Sequence, residues 1–251
     1  MLLLECNNLS FSYHTHTGEI PVIKSVNFQI HKGEFVSIVG PSGCGKSTLL
    51  GLLTGILKPE EGEIKIHYKQ EAQSFYGYML QQDHLLEWYD IWDNVCLGPK
   101  INHCLDAACR EYLHTLLTRY QLDAFAHKKP SQLSGGMRQR AALIRTLAMK
   151  PELLYLDEPF SALDYQTRLN AADDIGKIIQ KEGKTAVLVT HDIGEAISLS
   201  SRVLVLSKRP ATIIKEFVLP FQNMELSPLE IRNLPEFSTY FNLIWKELNT
   251  T

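Results

Sequence analysis

The sequence has no Cys-x-x-Cys pair, no strong excess of either charge and no long apolar run, and each absence removes a class of function. Its cysteines, Cys6, Cys44, Cys96, Cys104 and Cys109, are odd in number, and no histidine pattern stands near them to close a tetrahedral zinc site. Reduced thiols in a cytosolic protein fit this usage. Lys and Arg total 25 against 28 Asp and Glu, a formal net charge of -3, without the basic excess by which nucleic-acid-binding proteins neutralise phosphates. No nucleic-acid partner is expected. No stretch approaches the ~18 apolar residues of a membrane span, and even the run 49–57 is interrupted by Thr54. Met1-Leu2-Leu3-Leu4 meets Glu5 and Asn7 at once, so it is expected to form a first β-strand rather than a leader. Any membrane role is expected to come through partners.

What is present is ordinary globular material: 251 residues, 45% of them hydrophobic and 21% charged, enough to bury a core. Strand-like runs at 22–30 and 35–39 lead into a glycine-rich turn and an apolar helical stretch, 47–57, ended by Lys58-Pro59. Residues 63–68 and 76–80 alternate like strands, while Leu105, Ala108, Tyr112, Leu113, Leu116 and Tyr120 recur at helical spacing. The stretch from about 84 to 150 reads as mainly helical. Three continuous apolar runs follow, 153–156, 186–189 and 203–206, separated by helical segments at about 164–182 and 192–200. Uninterrupted apolar strands alternating with helices predict a buried parallel sheet and an α/β fold. From Pro220 the chain reads as loop and then helix, 237–248, and there is no internal repeat or low-complexity linker.

Gly40-Pro41-Ser42-Gly43-Cys44-Gly45-Lys46-Ser47, with Thr48 beside it, fits the phosphate-binding loop and lies where that loop must lie, between a buried strand and a helix. The glycines let backbone N–H groups turn inward around phosphate oxygens, Lys46 brings positive charge, and the Ser47 hydroxyl suits Mg²⁺. The β- and γ-phosphates of a nucleotide, with Mg²⁺, are the expected ligands. The apolar run Leu153-Leu154-Tyr155-Leu156 ends abruptly in Asp157-Glu158, a costly arrangement unless the carboxylates face a metal or a reacting group. Asp157 is expected in the Mg²⁺ shell and Glu158 as the base that polarises the attacking water. The plain alternative is a solvated strand end.

Leu133-Ser134-Gly135-Gly136-Met137-Arg138-Gln139-Arg140 is a second glycine-rich helix start, which ordinary P-loop enzymes do not need. It resembles the signature sequence of ABC ATPases, and with the phosphate-binding loop and the 153–158 strand the resemblance extends over essentially the whole chain. It implies a P-loop ABC ATPase with a RecA-like core, an antiparallel β subdomain and a helical signature subdomain. The nucleotide-binding domain would span 1–219, with a helical subdomain inserted at about 84–150, and 220–251 would be a C-terminal loop and helix extension. It also implies that Ser134, Gly135 and Gly136 face the γ-phosphate of ATP bound to a second copy of the chain.

The same resemblance assigns Tyr13 to adenine stacking, although alone it reads sooner as a strand core residue. Gln81 takes the place of the glutamine that touches Mg²⁺ or the lytic water; Gln82 stands beside it, and the following Leu85-Leu86 and Trp88 favour Gln81. Asp164, in Ser161-Ala162-Leu163-Asp164, resembles the loop that couples two ATP sites, and it also suits a helix cap. His191, after the strand 187–189, resembles the switch histidine that donates to the γ-phosphate and helps to order Glu158. His14-x-His16 reads as polar loop, since it lacks a third ligand.

Within ABC ATPases the sequence is similar to subunits of the nitrate, sulfonate and taurine importer group, which also includes bicarbonate and thiamine-precursor systems. The similarity rests on Gly-Met-Arg-Gln-Arg at 136–140, Leu85-Leu86-x-Trp88 before Asn94-Val95, Arg209-Pro210, and Pro235-Glu236-Phe237 leading to Ile244-Trp245 and Leu248. Glu87, where the group often has proline, and Ser161, where it often has glycine, depart from it. The resemblance implies a peripheral ATPase on the cytoplasmic face of the cell membrane. It would pair with a second copy and with transmembrane permease subunits, and indirectly with a substrate-binding protein. The segment 84–97, rich in Trp88, Tyr89, Ile91 and Trp92, is expected to receive the permease, with at least one of these aromatics in the core of the helical part. The alternatives are another cargo for the same motor or a non-transport ABC ATPase.

Overall fold

The computed structural model describes residues 1–16, 18–67, 75–223 and 226–250. In chain order the strands are β1 (Leu2–Thr15), β2 (Gly18–His31), β3 (Phe35–Val39), β4 (Glu61–Ile66), β5 (Tyr76–Met79), β6 (Leu153–Asp157), β7 (Thr185–Thr190), β8 (Arg202–Leu206) and β9 (Ile213–Val218). The α-helices are α1 (Lys46–Leu53), α2 (Ile91–Val95), α3 (Leu97–Ile101), α4 (Ala107–Arg119), α5 (Gly135–Leu147), α6 (Tyr165–Lys181), α7 (Ile193–Leu199), α8 (Pro228–Ile231) and α9 (Pro235–Thr250). The chain divides into two compact units, Met1–Lys69 with Gly183–Thr251, and Gln70–Glu182.

The first unit holds an antiparallel sheet in the order β2-β1-β4, paired as Leu4↔Ile30 and Leu4↔Ile66. Alternating buried and exposed residues along β2 give it one wet face, as antiparallel sheets allow. The same unit contains β3 in parallel register with both β7 (Val36↔Val187) and β8 (Val36↔Arg202), and β9 lies antiparallel on β8. β7 is buried along its whole length and β3 nearly so, which is why their sequences run apolar without alternation. Val39 and Ile193 share one buried cluster with Val205 of β8 and with Ile231 and Ile244 of α8 and α9.

The second unit pairs β5 with β6 in parallel (Tyr78↔Tyr155) and packs α5 against α6, α2 and β5. Its helix starts are written in the sequence: Asp90, Asp106, Ser134 and Asp164 each accept a backbone N–H from the residue three positions on.

The expected elements are largely those found, with four differences. The helix expected over 47–57 runs from Lys46 to Leu53, because Gly55 takes φ +74 and turns the chain out of the helix. The strand expected at 63–68 ends at Ile66, and Tyr68 lies outside the described residues. The strand β9 was not expected, since its Lys215-Glu216 pair breaks the apolar run; it makes an antiparallel edge to a core expected to be parallel. The loop expected from Pro220 contains α8, started by a Ser227–Glu230 capping box, and α9 begins at Pro235.

Candidate nucleotide site

In the first unit the glycine-rich loop joins the end of β3 to the start of α1. Gly45 takes φ +123, and a Cβ there would stand 2.7 Å from Val22 Cγ1, so conformation and space both require glycine. As N-cap, Gly45 offers no side-chain acceptor at the start of α1, and a helix N-terminus without a side-chain cap is suited to an anion. Lys46 is 6% exposed, and its Nζ donates to the carbonyls of Gly40 at 3.0 Å and Pro41 at 3.2 Å. A buried ammonium held against the loop's own carbonyls is a charge with an anion site beside it. Arg209 braces the outside of the loop, its Nη2 donating to the Gly43 carbonyl at 2.6 Å. Burial pushes the Cys44 thiol up, although Lys46 pulls the other way.

Tyr13 lies near the end of β1 with its ring 43% exposed and edge-on to Phe11, and its hydroxyl is 3.3 Å from Thr48 Oγ1. His14 pairs with Glu60 at 2.6 Å. His191 sits exposed between β7 and α7, on a backbone corner tied at several points. Thr190 Oγ1 donates to the buried Glu195 carboxylate at 2.6 Å and accepts from the Asp192 N–H at 3.0 Å. Glu195 N–H in turn donates to Asp192 Oδ1 at 3.0 Å. Burying a carboxylate is tolerable only with such partners, and here they fix the corner that presents His191.

In the second unit β6 delivers Asp157 and Glu158 at its end. The Tyr78 hydroxyl donates to Asp157 Oδ2 at 2.9 Å, and burial together with that carboxylate pushes the phenol's ionisation up. Glu158 has φ +44, the left-handed region that side chains with a Cβ rarely adopt. Its carbonyl accepts from the Ser161 N–H at 3.1 Å and from Ser161 Oγ at 2.9 Å, which hold the turn. Ser161 Oγ also accepts from Gln81 Nε2 at 3.2 Å. Gln81 and Glu158 are therefore joined through one hydroxyl, and the serine that departs from the importer group's glycine is the link.

Ser134 caps α5, its Oγ accepting from the Met137 N–H at 3.4 Å. Gly135 lies against Leu163, whose Cδ2 would be 2.7 Å from an added Cβ. Asp164 caps α6 and accepts from the Thr167 N–H at 3.1 Å; hydrogen bonding to Thr167 holds its carboxyl below the usual range. A groove of about 500 Å³ is lined by Ser134, Gly135, Gly136, Arg140, Leu163 and Asp164. The first unit thus carries Tyr13, Gly40–Thr48 and His191, and the second carries Gln81, Ser134–Gly136, Asp157, Glu158 and Asp164.

The profile of the ABC transporter family matches residues 23–161. The chain belongs to the ABC transporter ATP-binding family. It is 43% identical to an uncharacterized ABC transporter ATP-binding protein of Bacillus subtilis, over 100% of this chain and 97% of that one. A taurine import ATP-binding protein of Roseobacter denitrificans is 36% identical over 96% of this chain and 94% of its own. Among solved structures, a dimeric ATP-binding cassette in a post-hydrolysis state with ADP and Pi superposes with a TM-score of 0.71 at 33% identity, covering 86% of this chain and 99% of that one.

For this ABC cassette the donor set suits Mg²⁺. Ser47 in the first unit, and Gln81 and Asp157 in the second, each carry the hard oxygen that Mg²⁺ prefers, and Asp157 supplies the carboxylate through which Mg²⁺ is usually bound. Among the described residues no group of three or more His, Cys, Asp or Glu side chains forms a dedicated metal cage. Tyr78, Ser161, Glu195 and Arg209 were not named as site residues from sequence. Arg209 left a trace there as half of the Arg209-Pro210 pair, and Ser161 as a departure from the importer group's glycine. The segment 84–97 divides: Ile91 is fully buried, whereas none of the aromatics expected in the core is buried, Trp92 being half-buried in a stack on His114 at 4.2 Å and Trp88 68% exposed.

Proposed function

We propose that this chain is the ATP-hydrolysing subunit of an importer for a small solute such as taurine, another sulfonate or nitrate. The observation that carries the ATPase is the signature-type cap at Ser134 beside its groove, in a chain that also holds a phosphate-binding loop. The taurine import relative and the importer-group residues at 136–140, 85–88, 209–210 and 235–248 support the cargo class.

In this reading ATP lies over Gly40–Thr48, its adenine on Tyr13 and its β- and γ-phosphates on the N–H groups at the start of α1. Lys46 exchanges its carbonyl partners for phosphate oxygens, so the charge is already in place when the nucleotide arrives. When bound, Mg²⁺, held through Ser47, Asp157 and Gln81, neutralises charge on the phosphates. Gln81 orients the attacking water, Glu158 takes its proton, and His191 donates to the γ-phosphate. A second copy supplies Ser134, Gly135 and Gly136 from the opposite side, and Asp164 lies at that junction. Each ATP then needs two chains, and closure of the pair is the power stroke.

Residues 1–219 form the nucleotide-binding domain in this reading, with 84–150 as its inserted helical part and 220–251 as an extension. No helix of the described chain is long and apolar enough to cross a membrane. The subunit works at the cytoplasmic face against permease subunits that contact 84–97, and a separate binding protein chooses the cargo.

The test is uptake of labelled taurine, alkanesulfonate and nitrate by cells lacking the chain, complemented with the wild-type chain or with Glu158→Gln. Loss of one uptake, restored by wild type alone, supports the assignment. Unchanged uptake of all three overturns the cargo class.

A further inference from the structure

The segment after Gln81 is tied to the signature helix by side-chain bonds. Arg138 holds Asp83 with two bonds, Nε to Oδ2 at 2.9 Å and Nη2 to Oδ1 at 3.2 Å, and the same Nη2 lies 3.1 Å from Glu87 Oε1. About two turns further along α5, Arg145 donates to the backbone carbonyls of His84 and Asp83, both at 2.7 Å. His84 has φ +44, so the segment is pinned in a conformation that it would not keep alone. Beneath Leu86, the fully buried Asn94 accepts the Leu86 N–H at 2.7 Å and donates back to its carbonyl at 3.1 Å. The exposed Trp88 is carried at the end of this pinned stretch.

A cavity of about 460 Å³ lies beside the segment, lined by Gln82, Asp83, His84, Arg138, Gln139 and Leu163. The segment therefore has room to move, and bonds to the two arginines set its position on α5. Burial pushes the Asp83 carboxyl up, but hydrogen bonds from Arg138 and from the Leu85 N–H, with the charges of Arg138 and Arg145, together outweigh that and hold it below the usual range. At the other end, the Arg138 N–H donates to the Ser134 carbonyl at 2.9 Å, inside the first turn of the signature helix. Glu87, unexplained as a departure from the importer group, is Arg138's second carboxylate.

We propose that Arg138 is a positioning residue for coupling. It joins the Asp83–Trp88 segment to the start of the signature helix, so that engagement of Ser134 by a partner's nucleotide and displacement of the Trp88 surface occur together. This rests on the two-chain ATP site described under Proposed function. A bidentate, charge-assisted contact suits the task because its geometry transmits orientation as well as force.

The experiment uses the full chain carrying Glu158→Gln, with Mg-ATP as the probe, gel filtration to report the dimer and amide hydrogen exchange to follow residues 83–88. ATP is expected to dimerise the parent and to slow exchange at 83–88 about fivefold or more, the lower end of ordinary coupling. Adding Arg138→Ala, or the isosteric pair Asp83→Asn with Glu87→Gln, is expected to leave the dimer and remove the ATP effect at 83–88. Arg138→Lys, a single ammonium, is expected to retain part of it. An undiminished ATP effect in both latch variants overturns the proposal. A parent that dimerises with no ATP effect at 83–88 also overturns it, while leaving the two-chain site standing. A parent that does not dimerise overturns that site and the proposal with it.

Discussion

The Tyr78 hydroxyl donates to Asp157 at 2.9 Å, so one lone pair of the carboxylate assigned to Mg²⁺ is already committed to a neutral donor. That bond fixes the carboxylate's orientation. Tyr78→Phe is expected to weaken Mg²⁺ dependence of the ATPase by about tenfold, the worth of a hydrogen bond to a charged group. A Mg²⁺ titration of hydrolysis at saturating ATP measures it, and an unshifted midpoint would remove Tyr78 from the site.

Glu158→Gln keeps the shape of the residue and removes its basicity. Turnover is expected to fall by ~10² or more, the scale of a general base, while ATP binding persists. Single-turnover hydrolysis beside a fluorescent-nucleotide titration separates the two.

Ser134→Arg fills the groove at the signature from within. Hydrolysis should disappear while nucleotide still binds the glycine-rich loop, because the substituted residue belongs to the face offered to the other copy. Undiminished hydrolysis would mean that a single chain completes its own site.

Gly45→Ala sets a Cβ against Val22 at a φ of +123. The cost is expected at about 1–3 kcal/mol, felt at the loop first, so nucleotide affinity should fall before the melting temperature does. Calorimetric melting with and without ATP reads both.

The Asp83–Arg138 pair gives stability a pH dependence of known sign. Asp83 ionises more readily in the folded chain, so its contribution is present above the ordinary carboxylate pKa and is lost as pH falls through the lowered, folded value. Urea midpoints between pH 7 and about pH 3 should fall less steeply in Asp83→Asn than in the unchanged chain.

Much of this was legible because it is local. Gly40–Ser47, Ser134–Gly136 and Asp157-Glu158 are short runs whose neighbours in sequence are their neighbours in space, and the apolar strands β3, β6, β7 and β8 announce their burial. Several of the supports were not legible, since they join residues far apart in the chain. Tyr78 is 79 positions from Asp157, Arg138 is 55 from Asp83 and Arg209 is 166 from Gly43. No periodicity encodes such pairings. Ser161 shows the same limit from another side: as a departure from a pattern it read as a weakness, whereas its hydroxyl is what joins Gln81 to Glu158.

The burial of Ile244 beside Val39 and Ile193 has a consequence for how the protein is made. The strand that leads into the phosphate-binding loop and the helix that follows His191 share a face closed by α8 and α9. During synthesis that face stays open to water until residues 228–250 have left the ribosome. A ribosome stalled before α9 would therefore display an apolar sheet face next to an otherwise finished nucleotide loop, a species fit for chaperones rather than for ATP.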